Sequence, residues 1–271
     1  MQWGSPVASL SDYKAAKAVK MLYLGNSGAG KTGSLASLAL AGYNLRVLDF
    51  DNGLAYLADF LSGEPEALAR IEYKTFTDNF RGQGANVMPV GAPQAFAKAM
   101  DALNNWKLDD GNTLGGVSKW TLQDILVVDS LTLLSKAVMN HVLAVNGRSG
   151  QNPSQPNWGE AMRIIEDFIA MLYGDYVPCH VIVISHIVDL GSEETGFQGF
   201  PSTLGTKLPP KIPRFFNTMV EAFTQGSGVA AKRKIRTRSR QGLDLKVASS
   251  KVPPELSLET GLADLFTAMR G

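Results

Sequence analysis

A single cysteine, Cys179, stands in a chain of 271 residues. That excludes an internal disulfide and a multi-cysteine zinc site, and it suits a reducing cytoplasm. Set in the apolar run Pro178 to Ile184, Cys179 reads as a small buried strand residue rather than a nucleophile. No apolar run approaches the ~20 residues needed to cross a bilayer, so no membrane partner is expected. Met1 to Asp12 lacks a basic stretch followed by an apolar one, so no signal peptide is expected and the reading is cytoplasmic. Charge of one sign is missing too: 26 Lys and Arg against 25 Asp and Glu leave +1. No global field announces nucleic acid, and such a partner has to be read from local patches. What is present is a globular composition, 45 % apolar, with length for one α/β domain.

Residues 1–18 are expected to form an arm and 19–271 a single domain. Short apolar runs predict strands at Val19–Leu24, Leu45–Phe50, Ile71–Phe76, Ile125–Val128 and Val181–Ile184. Helical character lies between them at Lys31–Ala41, Leu54–Ala69 (broken near Gly63 to Pro65), Pro93–Trp106, Leu131–Val145 and Trp158–Tyr173. This alternation predicts a mostly parallel central sheet flanked by helices. Loops are expected at Asp109–Ser118, Asn146–Asn157 and Gly191–Pro213. Three late strand-like runs, Thr218–Thr224, Lys232–Arg240 and Leu243–Ala248, predict an antiparallel extension before a last helix, Gly261–Met269.

The chemistry is concentrated in Gly25-Asn26-Ser27-Gly28-Ala29-Gly30-Lys31-Thr32, which matches G-x-x-x-x-G-K-[ST] at every fixed position. Glycines let such a loop wrap so that its amides point at a phosphate, and the helix that starts near Lys31 and Gly33 adds its positive end. Lys31 would reach the β- and γ-phosphates of ATP, and the Thr32 hydroxyl would ligate Mg²⁺. A P-loop needs a carboxylate on a nearby strand for the metal, and Asp129 ends the run Ile125-Leu126-Val127-Val128. A helix N-cap is the other use of Asp129 or Ser130, and both can hold at once. Asp49 and Asp51 close the second strand and are candidates for orienting the attacking water; a turn role is the alternative.

These residues resemble the RecA-like recombinase family. Val128-Asp129-Ser130-Leu131 is similar to its Mg²⁺-binding strand and turn, and Leu48 to Leu54 to the strand that carries its catalytic glutamate. The resemblance puts Asp51 in that glutamate's place, one methylene shorter. It also implies a γ-phosphate sensor at His186, within Ile184-Ser185-His186-Ile187, and two loops that bind single-stranded DNA. Those loops would carry Arg148 in the first, and Phe197, Phe200, Lys207, Lys211 and Arg214 in or beside the second; cations on phosphates and aromatics on bases are what single-strand binding uses. More narrowly, the chain resembles small phage-encoded RecA-like ATPases that act as single-strand annealing proteins, on its short core, its histidine and the stretch Gly205 to Pro213.

Lys232 to Arg240 holds six cations in nine residues. As a strand it would put Lys232, Lys234, Arg236, Arg238 and Arg240 on one face, where their repulsion calls for a counter-anion. The resemblance implies that one or two of Lys232, Lys234 and Arg236 reach a neighbour's ATP in a ring or filament of identical subunits. A solvated edge strand is the alternative. The function expected is an ATP-dependent single-strand DNA-binding protein of phage recombination, with a single-strand-binding protein as a further partner. A hexameric helicase-type motor and a nucleotide-gated protein-assembly factor are the competing readings.

Overall fold

The computed structural model describes residues 18–270 apart from 85 and 195, so the expected arm, but for its last residue, lies outside the described residues. In chain order the first half runs β1 (Lys20–Gly25), α1 (Lys31–Ser34), α2 (Ala36–Leu40), β2 (Asn44–Asp49), α3 (Ala55–Phe60), α4 (Pro65–Leu68) and β3 (Ile71–Thr75). The expected first helix is thus two short ones that meet at Leu35, and the expected break near Pro65 is the start of α4. A hairpin follows, β4 (Phe80–Gln83) and β5 (Asn86–Pro89), which the sequence reading did not anticipate. Helix α5 (Ala95–Asn104) begins two residues after Pro93, because Asp78 Oδ1 accepts the amides of Gln94 and Ala95 at 2.9 and 3.0 Å. A small pair, β6 (Trp106–Lys107) and β7 (Thr113–Gly115), folds part of the expected polar loop into a ribbon.

The second half runs β8 (Asp124–Asp129), α6 (Leu131–Val145), α7 (Gln155–Tyr173), β9 (His180–Ser185), β10 (Ile187–Ser192), β11 (Gly196–Pro201), β12 (Thr218–Gln225), β13 (Lys232–Arg236), β14 (Glu255–Ser257) and α8 (Gly261–Arg270). Helix α7 starts three residues earlier than expected because Ser154 and Asn157 form a capping box. The stretch expected as a loop at Gly191–Pro213 is mostly ordered. Strands β10 and β11 form an antiparallel hairpin, and Pro209–Phe215 is a 3₁₀ helix. The basic strand ends at Arg236 rather than Arg240, and Leu243–Ala248 makes isolated bridges instead of a strand.

One eight-stranded sheet organises the described residues, in the order β14-β13-β12-β1-β9-β8-β2-β3. The six strands from β12 to β3 are parallel, and β13 and β14 extend the sheet antiparallel, as expected. Continuous apolar runs such as Val181-Ile182-Val183-Ile184 suit strands covered on both faces. Alternate side chains divide between two cores. Leu22, Leu24, Leu126 and Val128 pack toward α5, α6 and α7. Met21, Tyr23, Ile125 and Val127 pack toward α1, α2 and α8. All the parallel strands end at one rim, so the loops after β1, β2, β8 and β9 meet there, which is where an open α/β sheet binds its ligand.

Candidate phosphate site

The loop between β1 and α1 carries the motif. Gly28 and Gly30 hold φ of +76° and +90°, a conformation open to glycine at no steric cost. Gly30 is needed for a second reason: a Cβ there would stand 2.5 Å from Leu258 Cδ2 and 3.2 Å from Arg233 Cδ. Tyr23 on β1 fixes the start of the helix. Its hydroxyl lies 3.0 Å from Ser34 Oγ, which in turn donates to the Lys31 carbonyl at 2.7 Å. The Lys31 ammonium is folded into the loop, donating to the carbonyls of Gly25 and Asn26 at 2.8 and 2.9 Å. Burial pushes its pKa down, while the Asp129 and Asp51 carboxylates oppose that.

Thr32 and Asp129 meet. Thr32 Oγ1 donates to Asp129 Oδ2 at 2.6 Å, and Asp129 is 2 % exposed. Burial pushes the Asp129 carboxyl up to about 6; the Thr32 hydrogen bond pulls it down, and Asp51 and Asp49 add like-charge repulsion. The peptide bond from Asp129 to Ser130 is cis. Ser130, not Asp129, caps α6, so the cap and the carboxylate are two adjacent residues.

The two aspartates of β2 part company. Asp49 is buried and does not line the cavity described below, accepting from Thr75 Oγ1 at 3.1 Å and the Gly53 amide at 3.4 Å. Asp51 lines the cavity. Its Oδ1 accepts from the amide and hydroxyl of Ser130 at 3.1 and 2.8 Å, leaving Oδ2 without a protein partner among the described residues. His186 also lines the cavity, just past β9, and its amide donates to Thr132 Oγ1 at 3.2 Å. Burial lowers the His186 pKa, and Lys31 lowers it further.

These groups bound a cavity of about 340 Å³ lined by Ser27, Gly28, Gly30, Lys31, Thr32, Gly33, Asp51, Asp129 and His186, together with Gly53, Tyr56 and Arg233. A second cavity of about 820 Å³ adjoins it, sharing Gly28, Gly33, Tyr56 and Arg233, and continues past Phe60 to the segment Glu255 to Glu259. Tyr56 and Arg233 were not among the expected site residues. The parity of the basic strand already separates Arg233 from Lys232 and Lys234, but which face meets the phosphate loop depends on how β13 joins the sheet. The donor set fits Mg²⁺, a hard cation held by one or two carboxylates, a hydroxyl and substrate phosphates; Thr32 and Asp129 would supply the protein oxygens. No cluster of three His, Cys, Asp or Glu suited to an all-protein metal site occurs among the described residues.

The other expected residues lie outside the smaller cavity, with Lys232 and Lys234 bordering the larger one. Of the basic strand, Lys234 donates to Glu255 at 2.9 Å and Arg236 to Glu221 at 2.6 Å, while Lys232 is exposed. Arg148 Nη2 donates to the Asn152 carbonyl at 3.3 Å. Phe197 is 56 % exposed on β11, whereas Phe200 is half-buried. Lys207 is exposed, and Lys211 and Arg214 both pair with Glu166 of α7. No helix among the described residues is long and apolar enough to cross a membrane.

Among solved structures, the flagellar accessory protein FlaH from Methanocaldococcus jannaschii matches with 12 % identity over 80 % of this chain and 76 % of its own, at a TM-score of 0.41. The KaiC-like protein PH0186 from Pyrococcus horikoshii OT3 matches with 10 % identity over 88 % of each chain, at a TM-score of 0.40. No curated protein matches the chain. A family profile described as an AAA domain matches residues 17–247, so the chain belongs to that family and, with its phosphate-loop motif, is a P-loop ATPase.

Proposed function

We propose that the chain binds Mg²⁺·ATP in the two adjoining cavities and hydrolyses it. The supporting observation is the convergence of Lys31, Thr32, Asp129, Asp51 and His186 on one cavity at the rim where the parallel strands end. Lys31 would exchange its loop carbonyls for phosphate oxygens, a stronger acceptor for an ammonium. Mg²⁺, when bound, neutralises charge developing on the phosphates. Asp51, with Oδ1 fixed by Ser130 and Oδ2 free, is built to accept a proton from water. The base and ribose would occupy the 820 Å³ cavity between Tyr56 and Leu258.

Nucleotide state has a direct route outward. Strand β10 begins at the residue after His186, and the Ser202 amide donates back to the His186 carbonyl at 2.8 Å, closing the hairpin at its base. A shift of His186 on γ-phosphate would therefore be passed into β10 and β11. We read that hairpin, with Arg148, Phe197 and Lys207, as the surface for single-stranded DNA in an annealing or recombination role within an oligomer, in the cytoplasm of a phage-infected cell. A second reading is favoured by Glu193 and Glu194 at the exposed hairpin turn and by the ion pairs that engage Lys211 and Arg214. Carboxylates there repel phosphate and suit a protein partner gated by the same nucleotide.

Steady-state ATP hydrolysis with and without single-stranded DNA, beside a strand-annealing assay, separates these readings. Stimulation by DNA that weakens with salt supports the first. Hydrolysis with no salt-sensitive DNA binding supports the second. Activity that persists in Lys31→Ala or Asp51→Asn would overturn the site itself.

A further inference from the structure

The two faces of strand β13 do different things. Antiparallel pairing places Arg236 opposite Glu221, Ile235 opposite Ala222, Lys234 opposite Phe223 and Arg233 opposite Thr224. Opposed residues point to the same face of a sheet. Ala222 and Ile235 belong to the core that also holds Ala29 and Leu35 of the phosphate loop and its helix. Arg233, two residues from Ile235, shares that face. Arg236 and Lys234 take the opposite one, where Arg236 donates to Glu221 and stacks on the Phe223 ring at 3.8 Å from its centroid.

Charge pairing divides the same way. Lys234 has Glu255, and Arg236 and Arg240 share Glu221. Arg238 donates to the carbonyls of Thr237 and Val252. The Arg233 guanidinium has no hydrogen bond or ion pair among the described residues, and it lines both the 340 Å³ and the 820 Å³ cavity. The main chain holds it there: the Leu258 amide donates to the Arg233 carbonyl at 3.3 Å, and both side chains lie against Gly30.

We propose that Arg233 binds the phosphate chain of the nucleotide in its own subunit, at the junction of the two cavities, on the side shared by ATP and ADP. The inference rests on the reading of these cavities as a nucleotide site. It follows from position: Asp51, Asp129 and His186 line only the smaller cavity, the γ-phosphate end, whereas Arg233 stands where that cavity opens into the larger one. A planar guanidinium there can take two phosphate oxygens, and its place over Gly30 puts it on the outer side of the loop from Lys31. One strand thus carries two kinds of cation. Arg233 serves the phosphates at the junction, whereas Lys232 and Lys234 border only the larger cavity and Arg236 borders neither.

Equilibrium titration with fluorescent ADP and ATP analogues tests this on the intact chain, with a thermal melt of each variant. Arg233→Ala is expected to weaken ADP and ATP together, by about tenfold or more, the scale of hydrogen bonds to charged groups. Arg233→Lys is expected to recover only part of that loss. ADP affinity within about twofold of the unaltered protein, in an Arg233→Ala variant that melts normally, overturns the inference while leaving the nucleotide site standing. Rescue of Arg233→Ala hydrolysis by added Lys31→Ala subunits, which keep Arg233 but lack the phosphate lysine, also overturns it, because the cation would then act across the interface. Failure of the unaltered protein to bind either nucleotide overturns the ATPase reading and this inference with it.

Discussion

Thr32 Oγ1 donates a 2.6 Å hydrogen bond to Asp129 Oδ2, joining the phosphate loop to a strand 97 positions later in sequence. The contact sits where a metal bound to both oxygens would lie between them. Asp129 is also a buried carboxylate pushed up to about 6, so its charge is unfavourable to the fold at neutral pH. Activity and stability should therefore separate. Asp129→Asn is expected to reduce ATP hydrolysis by about 100-fold or more and to stabilise the nucleotide-free protein at pH 7 to 8 by about 1 to 3 kcal/mol. Phosphate release and a denaturant melt of the same sample check both halves. A less stable Asp129→Asn would mean that the carboxylate is a net support of the fold.

Gly33 and Tyr56 make a second pair. A Cβ at Gly33 would stand 2.7 Å from Tyr56 Cε1, closer than real contacts allow. The ring is 53 % exposed, so it can swing away rather than strain the core. Gly33→Ala should then cost less than about 1 kcal/mol in stability but displace the ring from the nucleoside side of the site. A several-fold rise in the KM for ATP is expected, with little change in kcat. Tyr56→Ala should give a similar rise, and the double variant should be no worse than Tyr56→Ala alone. Additive effects on KM would show that Gly33 matters for another reason.

The phosphate loop, Asp129 and the parallel sheet were legible because each rests on local pattern: a fixed glycine spacing, and β-branched runs that end in a carboxylate. The hairpin β10–β11 was not legible, because Gly191, Gly196 and the prolines near it read as breakers. Gly191 instead lies within β10 and Gly196 opens β11, with φ of +135° and +77°. Ser154 concealed the start of α7 in a similar way, since Pro156 and Asn157 look like loop residues until the capping box is seen. Residue composition also could not divide Asp49 from Asp51. Thr75 on the neighbouring strand decides that, by claiming Asp49. Arg233 needed both the strand parity and the face on which the phosphate loop lies.

His180 should make the fold sensitive to acid. The ring is fully buried on β9, its Nδ1 accepts the Val19 amide at 2.8 Å, and Tyr43 and Phe266 pack edge-on against it. Burial lowers its pKa from 6.5 to about 4, with Arg270 adding repulsion. Between those values the unfolded chain binds the proton and the folded one does not, so unfolding takes up protons and stability rises with pH. The contribution is fully present above pH 6.5 and is lost as pH falls toward 4, to a total of up to about 3 kcal/mol. Urea melts at pH 7, 5.5 and 4.5 should show this slope, and His180→Phe should flatten it even if the variant starts less stable. An unchanged slope in that variant would assign the acid sensitivity to other groups.

Glu221 gives the test that separates holding a cation from using it. Its carboxylate is nearly buried and takes Arg236 at 2.6 Å and Arg240 at 2.8 Å, with Arg236 also stacked on Phe223. Removing a buried charge that two partners face leaves both uncompensated, so Glu221→Gln is expected to cost about 2 to 4 kcal/mol, tempered by the partial exposure of the arginines. Arg240→Ala, the more exposed partner, should cost about 1 kcal/mol or less. If Arg236 acts on a neighbour's ATP, it must leave Glu221 to do so. Glu221→Gln would then free it, and hydrolysis per folded oligomer should rise rather than fall. Arg236→Ala should lower hydrolysis in mixtures with unaltered subunits, beyond what dilution of active sites predicts. If Glu221→Gln and Arg236→Ala both change only the melting curve, Arg236 is a brace for β12 and β13, and Lys232, exposed and without an ion pair among the described residues, becomes the residue of this strand to test across the interface.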